Sequence, residues 1–449
     1  MIVNEEIRNK KICILGAGYV GLTLGLVLAD IGYRVAGVEN NQQIVEDLLA
    51  GKPHFYEQGL EEMLKRELSR NFKLLNNLQG VDADIYIISV GTPIKDDKKP
   101  NFDFIKSASR DIASVLKRGD LIILRSTVPP GTTRDIVRPI LEEQSRLKAD
   151  GDFYLAFAPE RTIEGNALEE LRFLPQIVGG INKESAFLAA KLFNTVTQKI
   201  IVVQSLEAAE MVKLMCNTYR DTIFAAANMF ALICDKFNLD AYEIIQAANF
   251  GYPRGGIPLP SPGVGGSCLC KDPYILTDTA ARMGCRSDFF KIGRSINEYM
   301  PYHVVSKIVE FFKKIRHEDV KQKNIFILGL AFKGYPETSD IRTSSSMDVV
   351  RELDNFGANI FVYDAVVKSN DTGYFNIKFC DIETGFGQAD AVIIMNNHPS
   401  FKNLDISKYF NNLSKPVLFF DTWHLYSAEE ISKIKNVTYA TLGFMNLKE

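Results

Sequence analysis

A loop rich in glycine and proline carries the residue with the clearest chemical potential in this sequence. Residues 253–273 read PRGGIPLPSPGVGGSCLCKDP and hold five glycines, five prolines and Cys268, with Lys271 and Asp272 just behind it. Glycine lets a backbone approach a ligand closely, and proline stiffens what remains. A thiol beside a cation ionises more readily and becomes a nucleophile at neutral pH. Free cysteine more often packs as a small core residue, so the residues alone leave open both a nucleophile and an inert cysteine in a surface turn.

Two other groups of polar residues could take part in chemistry. Glu160, Arg161 and Glu164 follow a predicted strand over residues 153–157, where two carboxylates and an arginine suit substrate polarisation or proton transfer. Solvated loop charges are the alternative. Lys213 and Asn217 are four residues apart on a predicted helix and therefore share a face. Their apolar neighbours favour a buried polar site for at least one of them, although a lysine on a helix is usually a surface residue.

The first forty residues predict a dinucleotide-binding unit. A strand over residues 11–15 runs into GAGYVG, a helix to residue 30, a strand over residues 34–38 and then an acid. The glycines allow a tight turn, close approach of a pyrophosphate and packing of helix on strand, with the phosphates at the helix N-terminus. The acid can accept hydrogen bonds from both ribose hydroxyls and would repel a 2′-phosphate, so NAD is predicted rather than NADP. The cofactor-side residues of this unit are Gly16, Gly18, Tyr19, Val20, Gly21 and Glu39.

Alternating strands and helices continue along the chain and then return after a helical region. Strands are predicted over residues 84–90, 120–124, 153–157, 176–180 and 199–203, and a helix without Gly or Pro over residues 205–238. A second α/β unit has strands over residues 323–331, 359–363 and 389–395 and a last strand over residues 416–421. It lacks the glycine fingerprint, so it is expected to bind something other than NAD. We therefore predict the order α/β, helical, α/β.

Composition excludes several classes of function. The formal net charge of -3 over 449 residues, without a basic run, argues against nucleic acid and anionic membranes as partners. The N-terminus has no apolar signal-peptide core, and no apolar run is long enough to span a bilayer. The seven cysteines are scattered, as in a reduced cytoplasmic protein, and Cys268 and Cys270 have no second ligand pair, so no metal is expected.

Taken in order, the motifs resemble the UDP-glucose/GDP-mannose dehydrogenase family over nearly the whole chain. The signatures are GxGYVG, STVPPGTT, PE followed by EG, a lysine and an asparagine on the central helix, GGSC followed by KD, and AFK followed by D and R. The resemblance implies two Rossmann-like, doubly wound α/β domains joined by a central helical domain with a long helix. It also implies an enzyme that uses two NAD and no metal to oxidise the C6 hydroxyl of a nucleotide-linked sugar to a carboxylate. We place the NAD-binding domain at residues 1–204, the dimerisation domain at 205–316 and the UDP-sugar-binding domain at 317–449.

The resemblance also implies roles for individual residues. Cys268 is implied to trap a C6 aldehyde as a thiohemiacetal, which a second hydride transfer converts to a thioester. Lys213 is implied to steady the oxyanion, Asp272 to act with a water as base, and Glu160 to take part in thioester hydrolysis. Further catalytic positions are Asn217 and Thr127, and further cofactor-side positions are Thr92, Thr127, Glu164 and Arg342. The implied substrate side consists of Glu160, Arg161, Lys213, Asn217, Arg254, Gly265, Phe332 and Lys333.

The family's long helix forms a dimer core, and the arginine that matches Arg254 reaches into the neighbouring subunit's site. A homodimer or larger homo-oligomer is therefore implied.

The identity of the sugar is less sharply indicated. GGSC followed by KD is similar to the UDP-glucose enzymes, whereas PRGGIPLPSPGVGG and Ala-Pro-Glu-Arg161 are similar to the UDP-N-acetylmannosamine and UDP-N-acetylglucosamine enzymes. Departures from the latter are Ser267, Glu164-Gly165 and two extra residues between Lys333 and Arg342. We expect a UDP-N-acetylhexosamine, with UDP-glucose as the alternative. A two-electron β-hydroxyacid dehydrogenase would not need GGSC, and a noncatalytic sensor of NAD or nucleotide sugar would be expected to lose Cys268, Lys213 or Asp272.

Overall fold

The chain is described by a computed structural model that covers residue 7 and residues 9–368, 376–410 and 413–446. It divides into two compact units. The first comprises the chain up to Asn217 together with Tyr274–Arg286, and the second comprises Thr218–Pro273 together with the chain from Ser287 onward. The three-domain division at residues 204 and 316 stays a prediction, and its outer ends, residues 1–6 and 447–449, lie outside the described residues.

The first unit is built on an eight-stranded sheet of order β3-β2-β1-β4-β5-β6-β7-β8. Neighbouring strands are parallel except for β6 and β7. The order reverses between β1 and β4, which is where open α/β sheets bind ligands. The strands are β1 Lys11–Leu15, β2 Arg34–Val38, β3 Phe72–Leu75, β4 Ile85–Ile88, β5 Leu121–Leu124, β6 Tyr154–Phe157, β7 Gln176–Gly180 and β8 Ile200–Val202.

Helices accompany this sheet and bury its apolar strands, of which β4 and β5 are buried at every residue. A single turn of π-helix, Thr133–Val137, leads into the fifth helix. The helices are α1 Tyr19–Ile31, α2 Gln42–Leu49, α3 Leu60–Leu68, α4 Asp103–Ala113, α5 Arg138–Ser145, α6 Ala167–Phe173 and α7 Lys183–Phe193.

The turn between β1 and α1 requires two of its glycines. Gly16 has φ of +96°, a left-handed conformation that residues with a Cβ rarely adopt. A Cβ on Gly21 would lie 1.8 Å from the Gly16 carbonyl oxygen, so α1 can approach β1 only with glycine there. The predicted strand, glycine turn, helix and strand over residues 11–38 are therefore confirmed.

The second unit contains a seven-stranded sheet of order β11-β10-β9-β12-β13-β14-β15, which repeats the reversal of the first. Among the described strands of this sheet, only β14 and β15 pair antiparallel. The prediction that residues 416–421 form the last strand is wrong, because two strands follow. Val437–Thr441 contains Thr, Tyr and Ala and lacks a continuous apolar run that would predict a strand. It nevertheless pairs with β13 and is mostly buried. The strands are β9 Asn324–Leu328, β10 Asn359–Tyr363, β11 Ile377–Phe379, β12 Ala391–Ile394, β13 Val417–Asp421, β14 Val437–Thr441 and β15 Phe444–Met445.

The helical region is dominated by two long helices. The predicted helix over residues 205–238 is confirmed as Leu206–Phe237, which contributes residues to both units. Among the described residues, no helix is long and apolar enough to cross a membrane. The remaining helices are α8 Leu206–Phe237, α9 Ala241–Asn249, α10 Asp272–Arg282, α11 Asp288–Phe311, α12 Ser345–Asn355, α13 Ile382–Gln388, α14 Ile406–Tyr409 and α15 Ala428–Ile431, with a π turn at Phe312–Arg316 and a 3-10 turn at Pro399–Asn403.

Candidate active site

A cavity of about 750 Å³ opens at the carboxyl ends of β1, β2 and β4 in the first unit, and Gly16, Gly18 and Glu39 line it. The Glu39 carboxylate accepts hydrogen bonds from the backbone N–H groups of Ala17 and Asn41, each at 3.0 Å. A Cβ on Gly18 would meet no protein atom within 4 Å, so this backbone borders the open space of the cavity. The glycine turn, the helix N-terminus and the acid fit an NAD adenosine and pyrophosphate.

Two other cofactor-side positions of the first unit, Thr92 and Thr127, lie in the loops that follow β4 and β5. Thr92 is buried, and its hydroxyl donates to the Thr127 carbonyl at 2.6 Å. The Ser126 hydroxyl donates to the Val90 carbonyl at 2.6 Å. These two bonds hold the loops together at the edge where the cavity opens. Tyr19 lies in the first turn of α1 and stacks on Phe55 with ring centroids 3.9 Å apart.

Glu160 lies in a buried network that the sequence does not reveal. Its two carboxylate oxygens accept from different donors: Arg161 and Thr162 backbone N–H groups on one, and the Arg125 guanidinium on the other. Arg125 is 1% exposed and also donates to the Ala158 carbonyl and to the Gln176 side chain, each at 3.0 Å. The guanidinium therefore fixes both the carboxylate and the backbone just before it.

The charge state of Glu160 follows from this network. Burial by itself raises the pKa of the carboxyl, but the Arg125 guanidinium, the Thr162 N–H and the Lys213 ammonium together bring it below its ordinary value. Glu160 is therefore ionised at neutral pH. With both oxygens engaged by donors, it is suited to orienting its neighbours and to setting the local charge.

Lys213 and Asn217 are both buried on α8, as their apolar sequence neighbours suggested. One turn earlier, the buried Glu210 carboxylate accepts from the Gly131 N–H at 2.6 Å, the Thr133 N–H at 2.8 Å and the Thr133 hydroxyl at 2.6 Å. Glu210 thereby ties the loop that begins at Thr127 to the helix that presents Lys213.

Glu164 and Arg161 lie in the segment between β6 and α6, and both are half-buried. The segment is fixed by Glu57, which accepts from the Gly165 and Ala167 N–H groups at 2.7 Å each. Arg161 also donates to the Pro175 carbonyl at 3.4 Å.

The Cys268 loop belongs to the second unit. The Cys268 side chain is exposed, with the Ser267 hydroxyl 3.9 Å from its sulfur. The Cys268 carbonyl accepts from the Lys271 and Asp272 N–H groups, at 3.2 and 2.9 Å, so the cysteine stands one turn before the start of α10. A helix N-terminus and a nearby ammonium both favour a thiolate.

Lys271 and Asp272 form a pair directly behind the cysteine. The Lys271 ammonium lies 2.6 Å from the fully buried Asp272 carboxylate. Burial by itself lowers the pKa of Lys271, but the Asp272 carboxylate and the Cys268 sulfur bring it above its ordinary value. Lys271 therefore stays protonated and places a fixed positive charge near Cys268.

The second cysteine of this loop is of a different kind. Cys270 is largely buried, and its sulfur lies 3.3 Å from the Val264 carbonyl oxygen. Burial raises the pKa of its thiol, so Cys270 is a neutral thiol at neutral pH. Exposure and charge thus single out Cys268 as the candidate nucleophile.

The AFK motif meets the Cys268 loop within the second unit. A Cβ on Gly266 would fall 2.8 Å from the Phe332 ring, and a Cβ on Gly265 would fall 3.1 Å from the Phe332 Cβ, so the Phe332 side chain packs on these two glycines. The Lys333 ammonium lies 5.6 Å from the centre of the Phe332 ring. Three predicted substrate-side residues and the candidate nucleophile are thereby brought together.

Two further predicted positions of this unit are on its surface. Arg342 is exposed and bound to Asp340 through two nitrogens, at 2.9 and 2.7 Å. Arg254 is exposed and lies over the Tyr252 ring at 4.7 Å.

Several residues that shape these loops carry no motif. Gly334 and Tyr335, which follow Lys333, are held by the Asn397 side chain, which accepts from their N–H groups at 3.0 and 3.2 Å. Like Arg125, Glu210 and Glu57, Asn397 acts through backbone groups far away in sequence. For the three charged residues of this group, a charge at a buried position would have been the signal in the sequence. Burial at these positions, however, cannot be read from a single sequence.

The sequence matches models of three domains of one protein family. These are the NAD binding domain, the central domain and the UDP binding domain of the UDP-glucose/GDP-mannose dehydrogenase family, over residues 10–197, 207–299 and 326–428.

Individual proteins and solved structures agree with the family match. The UDP-N-acetyl-D-mannosamine dehydrogenase of Pyrococcus horikoshii is 35% identical over 399 residues, which are 88% of this chain and 91% of that protein. The protein of the same name from Campylobacter jejuni is 34% identical over 409 residues, 89% of this chain and 98% of that one. The solved structure of the Pyrococcus horikoshii UDP-D-ManNAc dehydrogenase superposes with a TM-score of 0.86 at 32% identity, covering 96% of this chain and 99% of the other.

Proposed function

Because this chain belongs to the UDP-glucose/GDP-mannose dehydrogenase family and is an NAD-dependent nucleotide-sugar dehydrogenase, we propose that it oxidises UDP-N-acetyl-D-mannosamine at C6 to the uronic acid through Cys268. The observation that carries the mechanism is the Cys268 loop, where an exposed thiol stands next to a protonated lysine and a helix N-terminus. The sugar is proposed from the names of relatives that match nearly the whole chain.

The proposed reaction consumes water and releases protons. One C6 alcohol, two NAD+ and one water give one carboxylate, two NADH and three protons. NAD supplies the hydride acceptor for both oxidations when it is bound at the glycine turn and Glu39. The Cys268 thiolate adds to the C6 aldehyde carbon, and the resulting thiohemiacetal has the hydroxyl and the hydrogen on C6 that a second oxidation needs. Water then attacks the thioester carbon, the C–S bond breaks, and the thiolate is regenerated.

The other residues are proposed to stabilise and orient the reacting groups. Lys213 would stabilise negative charge on the C6 oxygen, a role that its burial favours because charge interactions strengthen away from water. Asp272 would keep Lys271 in place and act with a water as base. Glu160, held ionised by Arg125, would orient its surroundings for thioester hydrolysis. Lys333 and Arg254 would bind the diphosphate, as cations commonly do.

We propose a homodimer that forms through α8. This helix has large apolar side chains that are exposed in the single chain, among them Tyr219 at 66% and Phe237 at 70% exposure. An exposed apolar surface of this kind is typical of an interface, and the dimer core that the resemblance to the family implies would lie on this helix. We propose the cytoplasm as the location, since the reaction needs the NAD and nucleotide-sugar pools.

A panel of nucleotide sugars tests the proposal. Purified protein with NAD+ is given UDP-ManNAc, UDP-GlcNAc, UDP-GalNAc, UDP-glucose and GDP-mannose in turn, and NADH at 340 nm is compared with the carboxylate formed. UDP-ManNAc should give the highest kcat/KM, with two NADH for each carboxylate, and the Cys268→Ser variant should form no carboxylate. Preference for UDP-glucose would overturn the proposed sugar, and an active Cys268→Ser variant would overturn the proposed nucleophile.

A further inference from the structure

A fully buried arginine donates hydrogen bonds at both ends of the segment that carries Cys268. Arg294, on α11, is 2% exposed. One of its terminal nitrogens donates to the Val264 carbonyl at 2.9 Å, and the other donates to the Leu269 carbonyl at 3.2 Å. Val264 and Leu269 flank Gly265-Gly266-Ser267-Cys268, so one rigid guanidinium sets the distance between the two ends of that segment.

The guanidinium is itself fixed from the other side. Its nitrogen that contacts Leu269 also lies 2.7 Å from the buried Asp221 carboxylate on α8. The Asn297 amide donates to the same carboxylate at 2.8 Å, and its oxygen accepts from Asn228 at 2.9 Å. Asn228 in turn accepts from the Ser261 N–H at 2.8 Å, which anchors the loop before Val264. The second unit thus holds a continuous buried polar network from two helices to the loop.

The segment between these two carbonyls also packs against Phe332 and has hydrogen bonds to its Gly266 and Cys268 carbonyls, but its two glycines make its shape depend on such anchors. Gly266 has φ of +90°, and glycine has the widest conformational freedom of any residue. Arginine suits the task because its planar fork presents donors in fixed directions, whereas the lysine ammonium is a point charge on a flexible stem. Lysine could balance the Asp221 charge but could not reach both carbonyls with the same geometry.

We propose that Arg294 is a positioning residue for Cys268, whose function is to hold the thiol where it captures the aldehyde before the aldehyde leaves. The proposal rests on the proposed cysteine mechanism. The first oxidation does not use the thiol, but capture does. A displaced Cys268 should therefore let the first oxidation continue while aldehyde escapes, which yields one NADH and no carboxylate for each sugar that is lost.

The test compares Arg294→Lys with wild type and with Arg351→Lys, which alters a surface pair of the same unit. In Arg294→Lys the carboxylate-forming kcat should fall by ~100-fold, the effect of misplacing a reacting group by about 1 Å. NADH per carboxylate should rise above two, and a hydrazine reagent should trap free sugar aldehyde. The rate at which iodoacetamide alkylates Cys268 should also fall. This rate is measured by peptide mass spectrometry in the absence of NAD and sugar. Arg351→Lys should match wild type in all three measurements.

A purely structural role for Arg294 would reduce the folded fraction without altering the NADH-to-carboxylate ratio or the alkylation rate of the folded protein, and that result overturns the proposal. If Arg294→Lys does not fold, Asp221→Asn removes the charge that fixes the guanidinium and should release aldehyde in the same way; an unchanged ratio in that variant also overturns it. Failure of the underlying mechanism is distinguishable, because the Cys268→Ser variant would then still form carboxylate.

Discussion

Gly266 offers the sharpest test of how the Cys268 loop is built, because the structure leaves no room for a side chain there. Its φ is +90°, and a Cβ would lie 2.8 and 2.9 Å from two carbons of the Phe332 ring. A residue with a Cβ in the left-handed region costs ~1–2 kcal/mol. Displacing a packed ring costs a further ~1–3 kcal/mol. Gly266→Ala should therefore lower the free energy of unfolding by ~2–5 kcal/mol.

Gly256 supplies the matched control within the same stretch of chain. It also has a positive φ, +116°, but a Cβ there would meet no atom within 4 Å. Gly256→Ala should therefore show only the backbone term of ~1–2 kcal/mol. The difference between the two variants isolates the contact between Gly266 and Phe332.

Urea unfolding measures the stability of both variants, and carboxylate formation measures their activity. Since Cys268 is two residues from Gly266, Gly266→Ala should also lose ~100-fold in kcat, as expected for a reacting group displaced by about 1 Å. Gly256→Ala should keep most of its kcat. Equal stability and equal activity of the two variants would refute the contact between Phe332 and the loop.

Three further predictions concern charged groups of the first unit. Arg125→Met leaves the Glu160 carboxylate buried without its guanidinium, and urea unfolding at pH 7 should show a loss of ~3–5 kcal/mol; a loss under about 1 kcal/mol would contradict the buried pair. Burial raises the pKa of Glu210 from 4.5 to about 7, so the folded protein keeps a proton that the unfolded chain loses. Wild type should therefore lose up to ~3 kcal/mol of stability relative to Glu210→Gln as pH rises from about 4.5 to about 7, and parallel stability curves of the two proteins would count against this shift. Glu39→Ser should reduce the preference for NAD+ over NADP+ in kcat/KM by at least ~10-fold, the equivalent of about 1.4 kcal/mol of lost repulsion; an unchanged preference would exclude Glu39 as the discriminating acid.

The elements that carry the site could be predicted because their signals are local. The run of apolar residues from Ile12 to Leu15, the glycines after it and the acid at residue 39 each act through neighbours in sequence. The loop composition around Cys268 was informative for the same reason. The sequence of Val437–Thr441 does not predict a strand, because the segment has no apolar run of its own and its extended form depends on pairing with β13.

The residues that hold the site in shape could not be predicted. Arg294 lies more than twenty residues beyond Cys268 on α11, and only the packing of this helix brings its guanidinium to the Val264 and Leu269 carbonyls. Arg125 stood next to a recognised motif, but its pairing with Glu160 depends on the register of β5 against β6. Long-range contacts of this kind leave no mark in a single sequence.

The central claim is that Cys268 carries the sugar as a covalent intermediate. Acid quench during steady turnover of UDP-ManNAc with NAD+, followed by proteolysis and mass spectrometry, measures this directly. A nucleotide-sugar acyl adduct that hydroxylamine removes should appear on the peptide that contains Cys268 and Cys270, with fragmentation placing it on Cys268. Two NADH for each carboxylate with no adduct at any time point, or an adduct on Cys270 instead, would contradict the account.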